Sequence, residues 1–172
     1  MSSRSIQVDF LTFSYRVVGK VVVSGAGILG VLGNRTTSVM EVKEASMSRL
    51  HIAHKPGEQK GRVQVVKSQV LAVCLAQRED VGPPAVPRAG YVRVNKYPIR
   101  VTTPIYELEG ILEFSGRLDL SIVLTDGTCD FIPLYDASLG AILFPNLLIQ
   151  SPAILFNRTF MSTLVMMGEG LG

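Results

Sequence analysis

Gly25, Gly27 and Gly30 form a G-x-G-x-x-G run directly after an apolar stretch, the pattern by which backbone amides at a helix N-terminus cradle a pyrophosphate. Gly30 and Gly33 interrupt any helix that would follow, and no strand–helix–strand unit comes after them, so dinucleotide binding is not expected. His51 and His54, the only two histidines, are spaced H-x-x-H. Two imidazoles hold a metal only with further ligands, and none of fixed type accompanies them, so they read as surface residues. Glu107, Glu109 and Glu113 read as a solvated strand face rather than a carboxylate pair, and no Ser/His/Asp set recurs. Cys74 and Cys129 stand alone, without metal-ligand spacing. The expectation is a protein that is not an enzyme, with no catalytic, cofactor-binding or metal site.

The bulk composition points to association instead. Apolar residues make up 47% of the 172-residue chain and charged residues 18%, below the roughly 25% usual for soluble domains. Flat apolar surface is most simply hidden between subunits. Charge is also unevenly placed: residues 6–80 carry ten Lys/Arg against six Asp/Glu, and residues 99–172 carry three against eight. One half is basic and the other acidic, which suits head-to-tail contact between unlike ends. Two apolar stretches, 17–33 and 137–157, are interrupted by glycines, prolines and polar residues and read as strands and turns, so no transmembrane helix is expected. Unpaired cysteines and a start without an apolar leader predict a reduced, cytoplasmic chain.

Self-similarity organises the chain. Residues 8–25 lie over residues 99–116 without a gap, matching Tyr15 to Tyr106, Gly19 to Gly110 and Ser24-Gly25 to Ser115-Gly116. After one shift of register, residues 40–47 match 132–139 and residues 63–70 match 154–161. Three blocks in the same order read as an internal duplication. The predicted units are residues 1–80 and 99–172, joined by a proline-rich linker over 81–98. Each copy reads as a strand, a long bent strand, a short helical segment (28–32 and 118–124) and three further strands, hence an all-β fold with minor helix. In the bent strand of the second copy Tyr106, Leu108, Leu112 and Phe114 share a face, with a slip of phase assigned to Gly110, the bend glycine.

On this pattern the second copy resembles the Sm-like small β-barrels, most closely a bacterial family of Sm-like domains. The matching segments are 106–110, 117–119, 131–137 and 152–158; the first copy follows through the internal alignment. The resemblance implies two tandem five-stranded Sm-like (SH3-like) barrels that pair edge strands with neighbours, as Sm-like proteins do in rings. Edge pairing satisfies open backbone groups while burying apolar surface. It also implies RNA as an alternative partner, with Lys67, Asn157 and Arg158 as the contact residues. The aspartate–asparagine and arginine–glycine signatures of RNA-binding members are absent, however, from the loops at 24–28, 66–69, 115–119 and 157–160.

One loop separates the copies. The first has a polar tip over 54–61, and the second has 146–151, with Leu147, Leu148 and Ile149 at the predicted tip. Three apolar residues there call for cover, by the other copy, by another subunit or by a membrane surface, and they are the candidate contact of a homo-oligomer, a ring or a filament.

Overall fold

The computed structural model describes residues 2–85, 94–127 and 129–168. The elements run β1 (Arg4–Thr12), β2 (Tyr15–Val23), α1 (Gly27–Leu32), β3 (Val39–Arg49), β4 (Glu58–Val66), β5 (Val70–Leu75), β6 (Val94–Thr102), β7 (Tyr106–Ser115), α2 (Leu120–Thr125), β8 (Phe131–Ala141), β9 (Leu148–Asn157) and β10 (Thr163–Met166). The fold is all-β, with both short helices where the sequence places them. All ten strands belong to one antiparallel sheet, in the order β10-β6-β7-β8-β9-β5-β1-β2-β3-β4. Hydrogen bonding among the described residues leaves this sheet open.

The order contains a repeat. Strands β1–β5 are arranged fifth-first-second-third-fourth, and β6–β10 follow the same arrangement. The registers agree residue for residue: Val8 opposes Gly19 as Ile99 opposes Gly110, Val17 opposes Met47 as Leu108 opposes Leu139, and Cys74 opposes Asp9 as Val165 opposes Arg100.

The bend has the same construction twice. A Cβ on Gly19 would lie 2.6 Å from Val42 Cγ1 and 2.7 Å from the Lys43 carbonyl; one on Gly110 would lie 2.9 Å from the Cβ atoms of Leu134 and Ala137. Only a missing side chain lets the neighbouring strand fold over so closely. Opposite each glycine that strand bulges, with Glu44 and Asp136 at positive φ (49° and 47°). Contrary to the expected slip at Gly110, β7 keeps its alternation. The irregularity lies in β8, because a bulge absorbs the extra residue there.

Two further expectations are corrected. Residues 81–85 are folded into 3-10 turns and 94–98 belong to β6, so a linker of 81–98 is too long; its residues 86–93 lie outside the described ones. The second-copy loop is also shorter than expected, because β9 already begins at Leu148 and the tip falls on 142–147.

Candidate assembly interface

The centre of the sheet is the seam between the halves, where β5 of the first pairs with β9 of the second: Ala72–Phe156, Val73–Leu155, Cys74–Ile154 and Leu75–Ala153. The run Val70–Leu75 is apolar at every position and buried at every position. A strand covered on both faces needs no polar alternation. Val70, Val73 and Leu75 join the core of the first half, whereas Leu71, Ala72 and Cys74 join that of the second. Strand β9 reciprocates, sending Ala153 and Leu155 into the first core and Ile154 and Phe156 into the second. Neither core is complete without the other half.

Polar groups bracket the seam. The Tyr106 hydroxyl, on a fully buried side chain, donates to the Thr12 carbonyl at 2.6 Å, and the Asn157 amide donates to the Val70 carbonyl at 3.0 Å. Ser151 Oγ donates to the Leu75 carbonyl. Arg78, just after β5, donates to the Glu113 carboxylate and stacks 3.8 Å above the Tyr135 ring. Glu113 is therefore a paired and largely buried carboxylate rather than part of a solvated face. Burial pushes the Tyr135 phenol up to about 12 even though Arg78 pulls it down. Beside the seam, burial raises the Asp9 carboxyl above its ordinary value although Arg16 is bonded to it. At the matching positions of the second half the charges are exchanged: Arg100 faces Glu107 at 3.6 Å.

Among the described residues the two outer strands lack such partners: there, strand β4 pairs only with β3, and β10 only with β6. Beside β4 lies an apolar hollow of about 290 Å³ lined by Phe13, Tyr15, Met47, Val63, Val65 and Val66 among others. The matching region of the second half, around Tyr106, Leu139, Ile154 and Phe156, is filled by Leu71, Ala72 and Cys74 from β5.

The residues singled out from sequence have separate fates. Leu147 is buried in the core of its own half at 2% exposure, so it contributes packing; Leu148 is exposed at 67%, and Ile149 is half-buried on β9. Exposed apolar surface at this end also includes Ile142 and Leu143. Lys67 and Arg158 both open a 3-10 turn before the last strand of their half, and both serve local structure. Lys67 Nζ donates to the Asn34 carbonyl (2.9 Å) and Thr37 Oγ1 (2.8 Å). Arg158 Nη1 donates to the carbonyls of Val123 (3.1 Å) and Asp126 (2.6 Å). Each cation ties down the loop after its own half's helix. Asn157 is buried, occupied by the Val70 carbonyl and by Thr159.

The glycine-rich run is a packing device. Gly27 has φ +65°, and a Cβ there would meet the Gly82 backbone at 2.6 Å, so the run lets the segment after β5 press against α1. His51 and His54 are exposed, and no group of three metal-ligating side chains occurs among the described residues. Among the described residues no helix is long and apolar enough to cross a membrane.

What the fold and the seam define is a class: an all-β protein in which two five-stranded halves share one sheet and complete each other's cores. No protein-family model matches the chain, and no similar curated protein or solved structure is found.

Proposed function

We propose that the protein is a non-enzymatic, self-assembling structural protein: two Sm-like barrels, derived from an internal duplication, that join chain to chain through β-edge pairing into a ring or filament. The observation that carries this reading is the β9–β5 seam. Within one chain, the fourth strand of one half pairs with the fifth strand of the other. The fourth strand of the first half (β4) and the fifth of the second (β10) are left at the two ends of the sheet. The chain thus carries at its ends the same two edges it has already joined in its middle. Open edges template pairing, and a heterologous contact of this kind repeats until it closes into a ring or runs on as a fibre.

The arrangement fifth-first-second-third-fourth in both halves, the glycine bend and the repeated bulge support the Sm-like and duplication readings. A second reading, RNA binding, draws on a hollow of about 370 Å³ lined by Asn34, Arg35, Lys67, Asp130, Asn157 and Thr159 among others, where the loops of both halves meet. Its nominated cations are engaged with backbone carbonyls, which favours the structural reading. Light scattering with an absorbance spectrum separates the two. Assembly predicts a mass that is a multiple of 18.7 kDa and free of nucleic acid; an 18.7 kDa particle with a 260 nm excess that high salt removes would instead favour RNA.

A further inference from the structure

Resting on the assembly reading above, we infer that the contact between chains is a copy of the internal seam in one defined register, with β10 of one chain lying along β4 of the next and filling the hollow beside it. Register fixes which side chains enter which core, so a copied seam specifies every contact.

The two halves supply the correspondence. Because β10 pairs with β6 as β5 pairs with β1, Thr163, Leu164, Val165 and Met166 stand where Ala72, Val73, Cys74 and Leu75 stand. Because β4 pairs with β3 as β9 pairs with β8, Arg62, Val63, Gln64 and Val65 stand where Ala153, Ile154, Leu155 and Phe156 stand. Copying the internal pairs places Thr163 opposite Val65, Leu164 opposite Gln64, Val165 opposite Val63 and Met166 opposite Arg62.

This register answers three features that the single chain leaves open. In the internal seam Ala72 and Cys74 turn away from their own half and into the other's core. Their counterparts Thr163 and Val165 are exposed, Val165 at 48%, and in the copied seam they enter the 290 Å³ hollow. Leu50 is buried in the second half's core, whereas Ile142, its counterpart in the second half, is 51% exposed and gains the same cover from the next chain. Half-buried Tyr15 holds the place of Tyr106, the residue that reaches across the internal seam.

The copy is also weaker than the original. Asn157 and Ser151, which bond across the internal seam, are matched by Val66 and Gly61, neither of which carries a polar side chain, and the buried Leu155 is matched by the exposed Gln64. The outer seam is therefore reversible, while the inner one holds the chain together.

Crosslinking tests the register. In a Cys129→Ser background, with Cys74 buried, the pair Val63→Cys and Val165→Cys is treated with a short thiol crosslinker. The expected result is a ladder of multimers on a denaturing gel. The pair Gln64→Cys and Val165→Cys, whose first side chain points to the opposite face, gives none. Val165→Asp, at a site exposed in the single chain, should retain the fold and weaken assembly at least tenfold, while Val22→Asp, equally exposed at 49% but away from the seam, should not. Multimers that form but crosslink only through Gln64→Cys, or that survive Val165→Asp, would overturn this register and leave assembly standing. A wild-type mass fixed at 18.7 kDa would overturn assembly itself.

Discussion

Tyr106→Phe isolates the bond that ties the halves together. The side chain is fully buried, and its hydroxyl donates at 2.6 Å to the carbonyl of Thr12, 94 residues away in the chain. Burial raises the phenol far above its usual range, so it remains a donor at any ordinary pH. Phenylalanine keeps the ring and its packing while removing one oxygen, which leaves the Thr12 carbonyl short of a partner where water has poor access. An unsatisfied buried group costs about 1–3 kcal/mol, and a partly buried acceptor belongs in the lower part of that range, at about 1–2 kcal/mol. For a chain of this size each kcal/mol moves the melting temperature by about 2–4 °C, so a fall near 5 °C is expected. Urea unfolding followed by circular dichroism, run at one protein concentration, gives the free energy directly. Tyr97→Phe is the control, since that hydroxyl donates to the Gly116 carbonyl at 3.2 Å and accepts from the Leu118 N–H at 3.3 Å near the surface, where water replaces both, and it should cost under about 1 kcal/mol. Equal losses in the two variants would refute the claim that the Tyr106 bond joins the halves.

Gly19→Val should destabilise by about 2–3 kcal/mol in the same assay, because its side chain would press on Val42 and the Lys43 carbonyl. Lys67→Met should lower stability by about 1–2 kcal/mol by leaving the Asn34 carbonyl unbound. It should leave RNA retention on a filter unchanged, as a structural role requires. The native chain takes up the Asp9 proton at a higher pH than the unfolded chain, whose carboxyl titrates near its ordinary value of 3.8. This group therefore makes stability fall as pH rises from that value through the folded one. Asp9→Asn should abolish the fall, so the wild-type advantage over the variant must shrink between pH 4 and 7, and an advantage that grows contradicts the sign. Val66→Asn should restore at the outer seam the amide that Asn157 supplies at the inner one, tightening self-association about fivefold by sedimentation.

Much of this architecture is written in local pattern. The bend glycines, the Ala45 and Ala137 strands and the basic turns at Lys67 and Arg158 recur in matching sequence blocks, and the structure places each pair at matching registers. Short helices after β2 and β7 were likewise readable. The common sheet was not, because strand patterns reveal faces but not partners; its signal was the unbroken run Val70–Leu75, which has no polar side to show to solvent. The roles of Lys67 and Arg158 were hidden for a related reason. Their partners Asn34, Val123 and Asp126 lie some thirty residues away, and nothing in the composition of a turn reveals a carbonyl brought to it by the fold. A shift of the hairpin boundary moves Leu148 and Ile149 off the tip and onto β9, while Leu147 stays in the loop and turns its side chain into the core.

Amide hydrogen exchange on the two outer strands, measured across a range of protein concentrations alongside the mass, tests self-assembly through paired edges most directly. Residues 62–65 of β4 and 163–166 of β10 should gain protection together as the mass rises above 18.7 kDa, while the inner seam at 72–75 and 153–156 is protected throughout. A mass that stays at 18.7 kDa, or a rise in mass that leaves both outer strands exchanging freely, would contradict assembly through paired edges.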